Sequence, residues 1–188
     1  MLFMMKKIYL VHGWKSNSDS FWFPWLANEL GKKGHEVFSI DFVESDSSRI
    51  EDWVKKIKES VDCLDEKVFF VAHSVGCQAV LRFLEKAHKH VRIGGCVFVA
   101  PWLDLINLDD VEMRIAHNWI NSEINFERIK DHVGEIFCIF SDNDIHVSEK
   151  EVEKFKEFLG AEILIKKGRG HFSDDKKIEE VLKFLSKK

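Results

Sequence analysis

Ser74 stands at an abrupt corner of the sequence, where its hydroxyl could act as a nucleophile. The apolar run 69–72 predicts the end of a core strand, and a helix is predicted to begin at Val75 with no loop before it. Such a corner holds the serine in a strained turn that exposes its hydroxyl, and it requires small residues two positions before and after. Ala72 and Gly76 meet that requirement. A role as nucleophile is therefore one hypothesis for Ser74.

Ser74 also has a purely structural interpretation. Serine is favoured at the N-cap of a helix, because its side-chain oxygen accepts a backbone N–H group of the first turn. The five residues 72–76 do not by themselves distinguish a nucleophile from a cap, so the rest of the chain has to decide between them.

Candidate partners for Ser74 follow two later strands. Asp142 and Asp144 come after the fifth predicted strand, and His171 comes after the sixth. Taken singly, the aspartates are typical of a solvated turn and the histidine of a surface loop. Serine, acid and histidine in this order, each at the carboxyl end of a strand, are nevertheless typical of a Ser-acid-His triad. The order favours Ser74 as nucleophile, His171 as general base and one of the two aspartates as the orienting acid.

Backbone groups near Ser74 could hold a developing oxyanion. The N–H group of Val75 opens the helix, and the N–H group of Trp14 is the natural second donor if the first and third strands are neighbours. Gly13 would let that backbone approach a substrate closely. His12, at the end of the first strand, is expected to hold the loop. Together with Gly13 and Trp102, which follows the fourth strand, it is also a candidate for substrate contact.

These residues require a sheet whose strands end near one another. Short apolar runs alternate with amphipathic segments, which predicts an α/β fold: a three-layer α/β/α sandwich with a six-stranded, mostly parallel sheet of order 2-1-3-4-5-6. The strands are predicted at 7–11, 36–40, 67–72, 95–100, 135–140 and 162–166, and the helices at 20–32, 48–64, 75–89, 148–159 and 174–187.

One domain, 1–188, is expected from this pattern and from the length of the chain. The least regular part is 102–131, which follows the fourth predicted strand and could form either a short cap over the sheet edge or one crossover helix. Ser148, followed by Glu151, and Ser173 are candidate N-terminal caps for the last two helices.

Composition narrows the classes of partner. The net charge of −4 and the pI of about 6.1 do not favour nucleic acid. No apolar run approaches the roughly 18 residues that a membrane span requires. The four cysteines are widely spaced, which predicts free thiols and a cytoplasmic location. Histidines and cysteines lack tight metal-ligand spacing, so we expect no metal or cofactor.

The chain resembles the α/β-hydrolase superfamily, and within it the small serine hydrolases of the retinoblastoma-binding-protein-nine type. The segments that carry this resemblance are "YLVHGW", "VAHSVGC", "VAPW", "FSDNDIHV" and "GRGHF". Members of that family commonly have D-x-x-V-P at the acid site. Asp144 begins the stretch Asp-Ile-His-Val, which matches four of these positions, whereas Ser148 stands where the proline usually is. The resemblance therefore favours Asp144 over Asp142.

The resemblance implies a serine hydrolase that cleaves small esters or related acyl compounds through an acyl-enzyme on Ser74. Asp144 would orient His171, and the N–H groups of Trp14 and Val75 would hold the oxyanion. The expected partner is a small-molecule acyl substrate, and the expected assembly a monomer or a small homo-oligomer. The alternative is a catalytically weak or inactive protein of the same fold that acts through protein–protein interaction.

Overall fold

The computed structural model describes residues 5–43 and 49–186. Six strands form a single sheet: β1 (Lys7–Val11), β2 (Glu36–Ile40), β3 (Val68–His73), β4 (Ile93–Val99), β5 (Val133–Ser141) and β6 (Glu162–Lys166). The helices are α1 (Phe23–Lys32), α2 (Ile50–Ser60), α3 (Val75–Glu85), α4 (Asp110–Asn121), α5 (Phe126–His132), α6 (Glu149–Leu159) and α7 (Glu179–Ser186).

The strand order is β2-β1-β3-β4-β5-β6, and every neighbouring pair is parallel. The predicted order is therefore confirmed, in a sheet that is parallel throughout. Because all strands run the same way, the loops after β1, β3, β4, β5 and β6 leave from one edge. The candidate residues of the sequence lie in those loops.

The sheet is buried on both faces, which explains why its central strands are continuously apolar. Successive side chains of a strand point to opposite faces. Phe70 and Ala72 accordingly belong to one core cluster, and Phe69 and Val71 to the other. Side chains of α2, α3, α4, α5 and α6 complete the first cluster, while α1 and α7 complete the second. The two clusters and the sheet between them form the three predicted layers.

The region 102–131 contains two helices rather than one crossover helix. Asp109 begins α4 with a capping box, in which its side chain accepts the N–H group of Glu112 and the Glu112 side chain accepts the N–H group of Asp109. The end of α4 is held by the buried Arg82, which donates to the carbonyl groups of Trp119 (2.9 Å) and Ser122 (3.0 Å). Farther along the chain, α5 packs against α3 and α6.

Two predicted caps differ from the structure, although Ser148 does occupy the N-cap position of α6. The Ser148 side chain makes no capping hydrogen bond to α6. Glu151 is buried instead, and its Oε2 accepts the N–H groups of Leu103 (2.6 Å) and Asp104 (3.3 Å). Ser173 does not begin a helix, since α7 starts at Glu179.

The other boundary differences are small. Residues 44–48 and 187–188 are not among the described residues, so the predicted helix limits at 48 and 187 lie outside them. Among residues 5–43 and 49–186, every helix is too short or too polar to span a bilayer.

Candidate active site

The backbone at Ser74 has the strained conformation that the sequence predicts for the corner. Its φ of 53° and ψ of −126° lie in a region that L-residues rarely adopt. The side chain makes no capping hydrogen bond to α3, so the helix-cap interpretation is wrong for this serine. Gly76 is required because a Cβ atom there would lie 2.4 Å from the carbonyl oxygen of His12 and 2.7 Å from that of Val11. Close contact between α3 and β1 therefore creates the corner.

Three of the predicted residues, from three separate loops, form one series of hydrogen bonds. Ser74 Oγ lies 2.9 Å from His171 Nε2, and His171 Nδ1 lies 2.7 Å from Asp144 Oδ2. The Asp144 side chain is only 2% exposed, whereas that of His171 is 21% exposed. The arrangement can transfer a proton from the serine hydroxyl to the imidazole while the carboxylate fixes the imidazole tautomer.

Asp144, and not Asp142, is the aspartate that contacts His171. Burial raises the pKa of Asp144, but the hydrogen bond and charge of His171 and the N–H groups of His146 and Val147 outweigh burial, so the net pKa is lowered. Those two N–H groups donate to Asp144 Oδ1 at 2.9 and 3.2 Å. The carboxyl group is thus held in its ionised form beside the imidazole.

The predicted oxyanion donors lie on both sides of the serine. A Cβ atom on Gly13 would lie 3.2 Å from the Ser74 Cβ atom, so the loop after β1 approaches the corner as closely as a glycine allows. Trp14 follows on that loop and lines the cavity over Ser74. Val75 is the first residue of α3, where N–H groups have no partner within the helix and the helix dipole favours negative charge.

The cavity above Ser74 has a volume of about 170 Å³ and is mostly apolar. Its apolar lining residues are Trp14, Phe21, Leu105, Leu108 and Ile115, and two charged residues, Lys15 and Glu112, contribute to the lining. The segment between β4 and the middle of α4 thus forms one whole wall.

His12 and Trp102 do not line this cavity, which corrects their assignment as substrate-binding candidates. Both are buried, at 2% and 0% exposure. His12 holds the end of β1: its Nδ1 contacts the Gly13 carbonyl oxygen at 2.8 Å, and its Nε2 accepts the N–H group of Phe42 at 3.2 Å. Trp102 lies beneath the serine, and its indole Nε1 is 3.2 Å from Ser74 Oγ.

Comparison with known proteins identifies the family of this chain. The family model described as "Serine hydrolase" matches residues 8–185. This chain belongs to that serine hydrolase family. The YdeN protein of Bacillus subtilis (strain 168) is 26% identical over 172 residues, which are 92% of this chain and 88% of that protein.

Solved structures share the fold of this serine hydrolase. The crystal structure of the B. subtilis ydeN gene product has a TM-score of 0.88 at 24% identity, covering 98% of this chain and 100% of that one. Est1E from Butyrivibrio proteoclasticus with bound ferulic acid has a TM-score of 0.71 at 12% identity, and the match covers 96% of this chain and 86% of that one. The carboxylesterase CesB of B. subtilis has a TM-score of 0.62 at 14% identity, and the match covers 96% of this chain and 82% of that one. These likenesses confirm the α/β-hydrolase fold. The narrower retinoblastoma-binding-protein-nine type stays a prediction.

A polar clamp that the sequence did not indicate positions His171 in this serine hydrolase. It consists of Ser141, Asp142 and Asn143, whose side-chain oxygens accept three successive amide N–H groups of the loop after β6. The distances are 2.9 Å from Ser141 Oγ to Arg169 N, 2.7 Å from Asp142 Oδ1 to Gly168 N and 2.7 Å from Asn143 Oδ1 to Gly170 N. Asp142, the alternative acid, is therefore a loop-holding residue.

His73 is a second positioning residue that sequence reasoning left without a role. It is 2% exposed, and its Nε2 lies 2.8 Å from the carbonyl oxygen of His171. Because a carbonyl oxygen only accepts, Nε2 carries the hydrogen in this bond. Burial, followed by the charge of nearby His171, lowers the pKa of His73 to about 3. The last residue of β3 therefore binds the backbone of the candidate base as a neutral imidazole.

The three buried cysteines do not compete with Ser74 as nucleophiles in this serine hydrolase. Cys77, Cys96 and Cys138 are buried free thiols, and burial raises the pKa of each, so each stays protonated. Within residues 5–43 and 49–186, no group of three or more His, Cys, Asp or Glu residues could hold a metal ion.

Proposed function

We propose that this serine hydrolase cleaves small carboxylic esters through an acyl-enzyme formed on Ser74. The observation that carries the proposal is the series of hydrogen bonds from Asp144 through His171 to Ser74, which opens into an apolar cavity. His171 takes the hydroxyl proton as Oγ bonds to the ester carbonyl carbon, and then gives that proton to the leaving alcohol. Water releases the acyl group by the same steps in reverse.

Two backbone N–H groups, those of Trp14 and Val75, hold the negative charge that develops on the carbonyl oxygen. Trp14 lines the cavity together with Ser74, and Val75 follows Ser74 as the first residue of α3. The loss of one such donor typically costs about 100- to 1,000-fold in rate. Support for this assignment comes from the close approach of Gly13 to Ser74, which brings the β1 loop within reach of a substrate bound there.

The size of the cavity favours a substrate with a compact acyl group. Its volume of about 170 Å³ is close to that of an engineered apolar cavity of about 150 Å³ that holds benzene. A carboxylesterase, CesB, and a protein with bound ferulic acid, Est1E, share the fold and agree with an ester substrate. We expect p-nitrophenyl esters with two- to four-carbon acyl groups to react faster than the octanoate.

The decisive experiment combines a fluorophosphonate probe with the Ser74→Ala variant. The wild-type protein should be labelled at one site, and the variant should not be labelled. Labelling that persists in Ser74→Ala would contradict the assignment of the nucleophile. A wild-type protein that neither reacts with the probe nor hydrolyses any ester of the series would favour the alternative, an inactive protein of this fold that acts through interaction.

The two aspartates provide a matched pair for the acid. Asp144→Asn should lower kcat about 1,000- to 10,000-fold, because the amide stabilises the wrong tautomer of His171. Asp142→Asn keeps an oxygen that can accept the N–H group of Gly168, so kcat should stay within about threefold of wild type. A larger loss in Asp142→Asn than in Asp144→Asn would contradict the choice of acid.

A further inference from the structure

Trp102 touches the reacting atom itself. Its indole Nε1 lies 3.2 Å from Ser74 Oγ, and its side chain is completely buried in the core beneath the serine. The sequence suggested substrate contact for this residue, but Trp102 does not line the cavity, so its role must lie elsewhere. The contact places a second group, in addition to His171, on the hydroxyl oxygen.

Rigid elements on both sides hold Trp102 in this position. The N–H group of Ser74 donates to the carbonyl oxygen of Val99 at 3.0 Å, which ties the corner to the end of β4. The chain then turns through Ala100, whose φ is 47°. After Trp102, the N–H group of Leu103 is held by the buried carboxylate of Glu151 at 2.6 Å. The backbone is thus fixed on both sides of the three residues 100–102, and this holds the Trp102 indole in place.

The chemistry of the donors sets the direction of every bond in this series. An indole N–H group can only donate, so Ser74 Oγ accepts from Trp102. The single hydroxyl hydrogen is left to point at His171 Nε2, 2.9 Å away. For His171 to accept there, its hydrogen must be on Nδ1, where the carboxylate of Asp144 accepts it at 2.7 Å. Trp102 therefore selects the one hydroxyl orientation from which the proton can move to His171.

We propose that Trp102 is a catalytic residue whose indole N–H group orients the Ser74 hydroxyl and stabilises the negative charge that develops on Oγ. This inference rests on the proposed function, since it requires Ser74 to be the nucleophile. In acylation, the proton leaves Oγ for His171 Nε2 as the Oγ–carbon bond forms. The carbonyl electron pair meanwhile moves to the substrate oxygen. The N–H group of Trp102 donates to Oγ throughout this step.

The same group acts again when the acyl-enzyme is hydrolysed. Water gives a proton to His171 and attacks the carbonyl carbon, after which the carbon–Oγ bond breaks and Oγ takes the proton back from His171. Oγ is the nucleophile in the first half-reaction and the leaving group in the second, so it carries negative charge in both. Removal of the indole N–H group should therefore slow both half-reactions by similar factors, unlike a change that merely alters substrate binding.

The test is to replace Trp102 by phenylalanine and, separately, by 3-benzothienylalanine, in which sulfur replaces the indole N–H group and the shape is retained. Burst and steady-state rates with p-nitrophenyl acetate report acylation and deacylation, and the fluorophosphonate labelling rate reports attack by Oγ alone. All three should fall about 10- to 100-fold in both variants, with KM changed little, because one hydrogen bond to a developing charge is lost.

Trp53→Phe is the matched control. Trp53 is a buried tryptophan of the same core cluster, and its Nε1 makes no hydrogen bond within the described part of the chain. The control should keep its rates within about twofold of wild type, because only packing changes. Thermal unfolding of each variant identifies any that fails to fold, and the benzothienyl variant preserves packing if Trp102→Phe does not.

The outcomes separate this inference from the proposed function. Wild-type rates in the benzothienyl variant would overturn the role of the Trp102 N–H group, even if Ser74→Ala abolishes labelling as expected. Labelling that persists in Ser74→Ala would instead overturn the proposed function. A loss in only one half-reaction would also overturn the inference, since charge on Oγ is common to both.

Discussion

The two halves of the candidate site are built by different physical means. The serine half, around Ser74, is set by close contact between buried backbones. A Cβ atom added at Gly76 would lie only 2.4 Å from the carbonyl oxygen of His12. The histidine half, around His171, is held by exposed side chains such as those of Asn143 and Asp142, whose oxygens accept hydrogen bonds from backbone N–H groups of the loop. Backbone sterics thus fix the position of the nucleophile, whereas side-chain hydrogen bonds, which a single substitution can remove, fix the position of its base. Changes that crowd the backbones of the first half should therefore cost stability, and changes to the polar side chains that hold the loop of the second half should cost rate.

The largest expected effect on stability is in the serine half. Gly76→Ala would place a Cβ atom within 2.7 Å of two carbonyl oxygens of the β1 end, neither of which can move without shifting the strand. We expect a loss of about 3 kcal/mol in the free energy of unfolding, measured by urea denaturation.

Gly31→Ala is the control for this change, because a Cβ atom there meets nothing within 4 Å. Its free energy of unfolding should stay level or rise by about 0.5–1 kcal/mol, since alanine favours a helix more than glycine does. Equal stability of the two variants would contradict the steric account of the corner.

An intermediate effect is expected at His73, which joins the two halves. Its pKa is about 3 in the folded protein and 6.5 when unfolded, so the unfolded chain binds the extra proton as the pH falls below 6.5. Stability present above pH 6.5 is therefore lost between pH 6.5 and 3. Between pH 7.5 and 5 the loss from this residue should be about 2 kcal/mol.

His73→Gln provides the comparison, because glutamine keeps an N–H donor for the His171 carbonyl group but does not titrate. Urea denaturation at pH 7.5 and at pH 5 should give a smaller difference for the variant than for wild type. His12 and His35, whose pKa values burial also lowers, remain in both proteins and cancel. An unchanged difference would contradict the assignment to His73.

The smallest effect is expected in the histidine half. Asn143→Ala removes the acceptor of the Gly170 N–H group in the clamp while leaving the core intact. We expect kcat to fall about tenfold, equivalent to about 1.4 kcal/mol, with less than about 1 kcal/mol lost from the free energy of unfolding, because the residue is exposed. Steady-state kinetics and denaturation on one preparation check both values. If Asn143→Ala lost more free energy of unfolding than activation free energy calculated from kcat, the proposed difference between the two halves would be contradicted.

The same difference explains what the sequence predicts well. The small residues on both sides of Ser74 indicate a close strand-to-helix corner, but the chain order of Ser74, the aspartates and His171 was needed to favour a nucleophile over a cap. The strand order follows from six apolar runs and the rules for crossovers. The choice between Asp142 and Asp144 stayed open in the residues alone, because two aspartates on one turn differ only in where their side chains point.

Other features depend on contacts between distant segments, which no local pattern reveals. Asn143 accepts from Gly170, 27 positions away, and Glu151 accepts from Leu103, 48 positions away. The predicted cap at Ser173 is also wrong: α7 begins six positions later, and the segment before it contains Asp175, which forms an ion pair with Arg169. Trp102 was placed in the pocket because its strand ends there, but side-chain direction put it beneath the serine.

Arg82 and Glu151 together make the apolar wall of the cavity an exchangeable unit. The buried carboxylate accepts the N–H groups at the start of the wall segment, and the buried guanidinium donates to carbonyl groups at the end of α4, beyond the wall. In the described part of the chain, neither anchor forms a hydrogen bond with a side chain of 105–118, so both anchors can be kept while side chains of that stretch are exchanged. An engineer could therefore replace the stretch 105–118 to change the acyl group accepted, while Ser74, its base and its acid remain untouched.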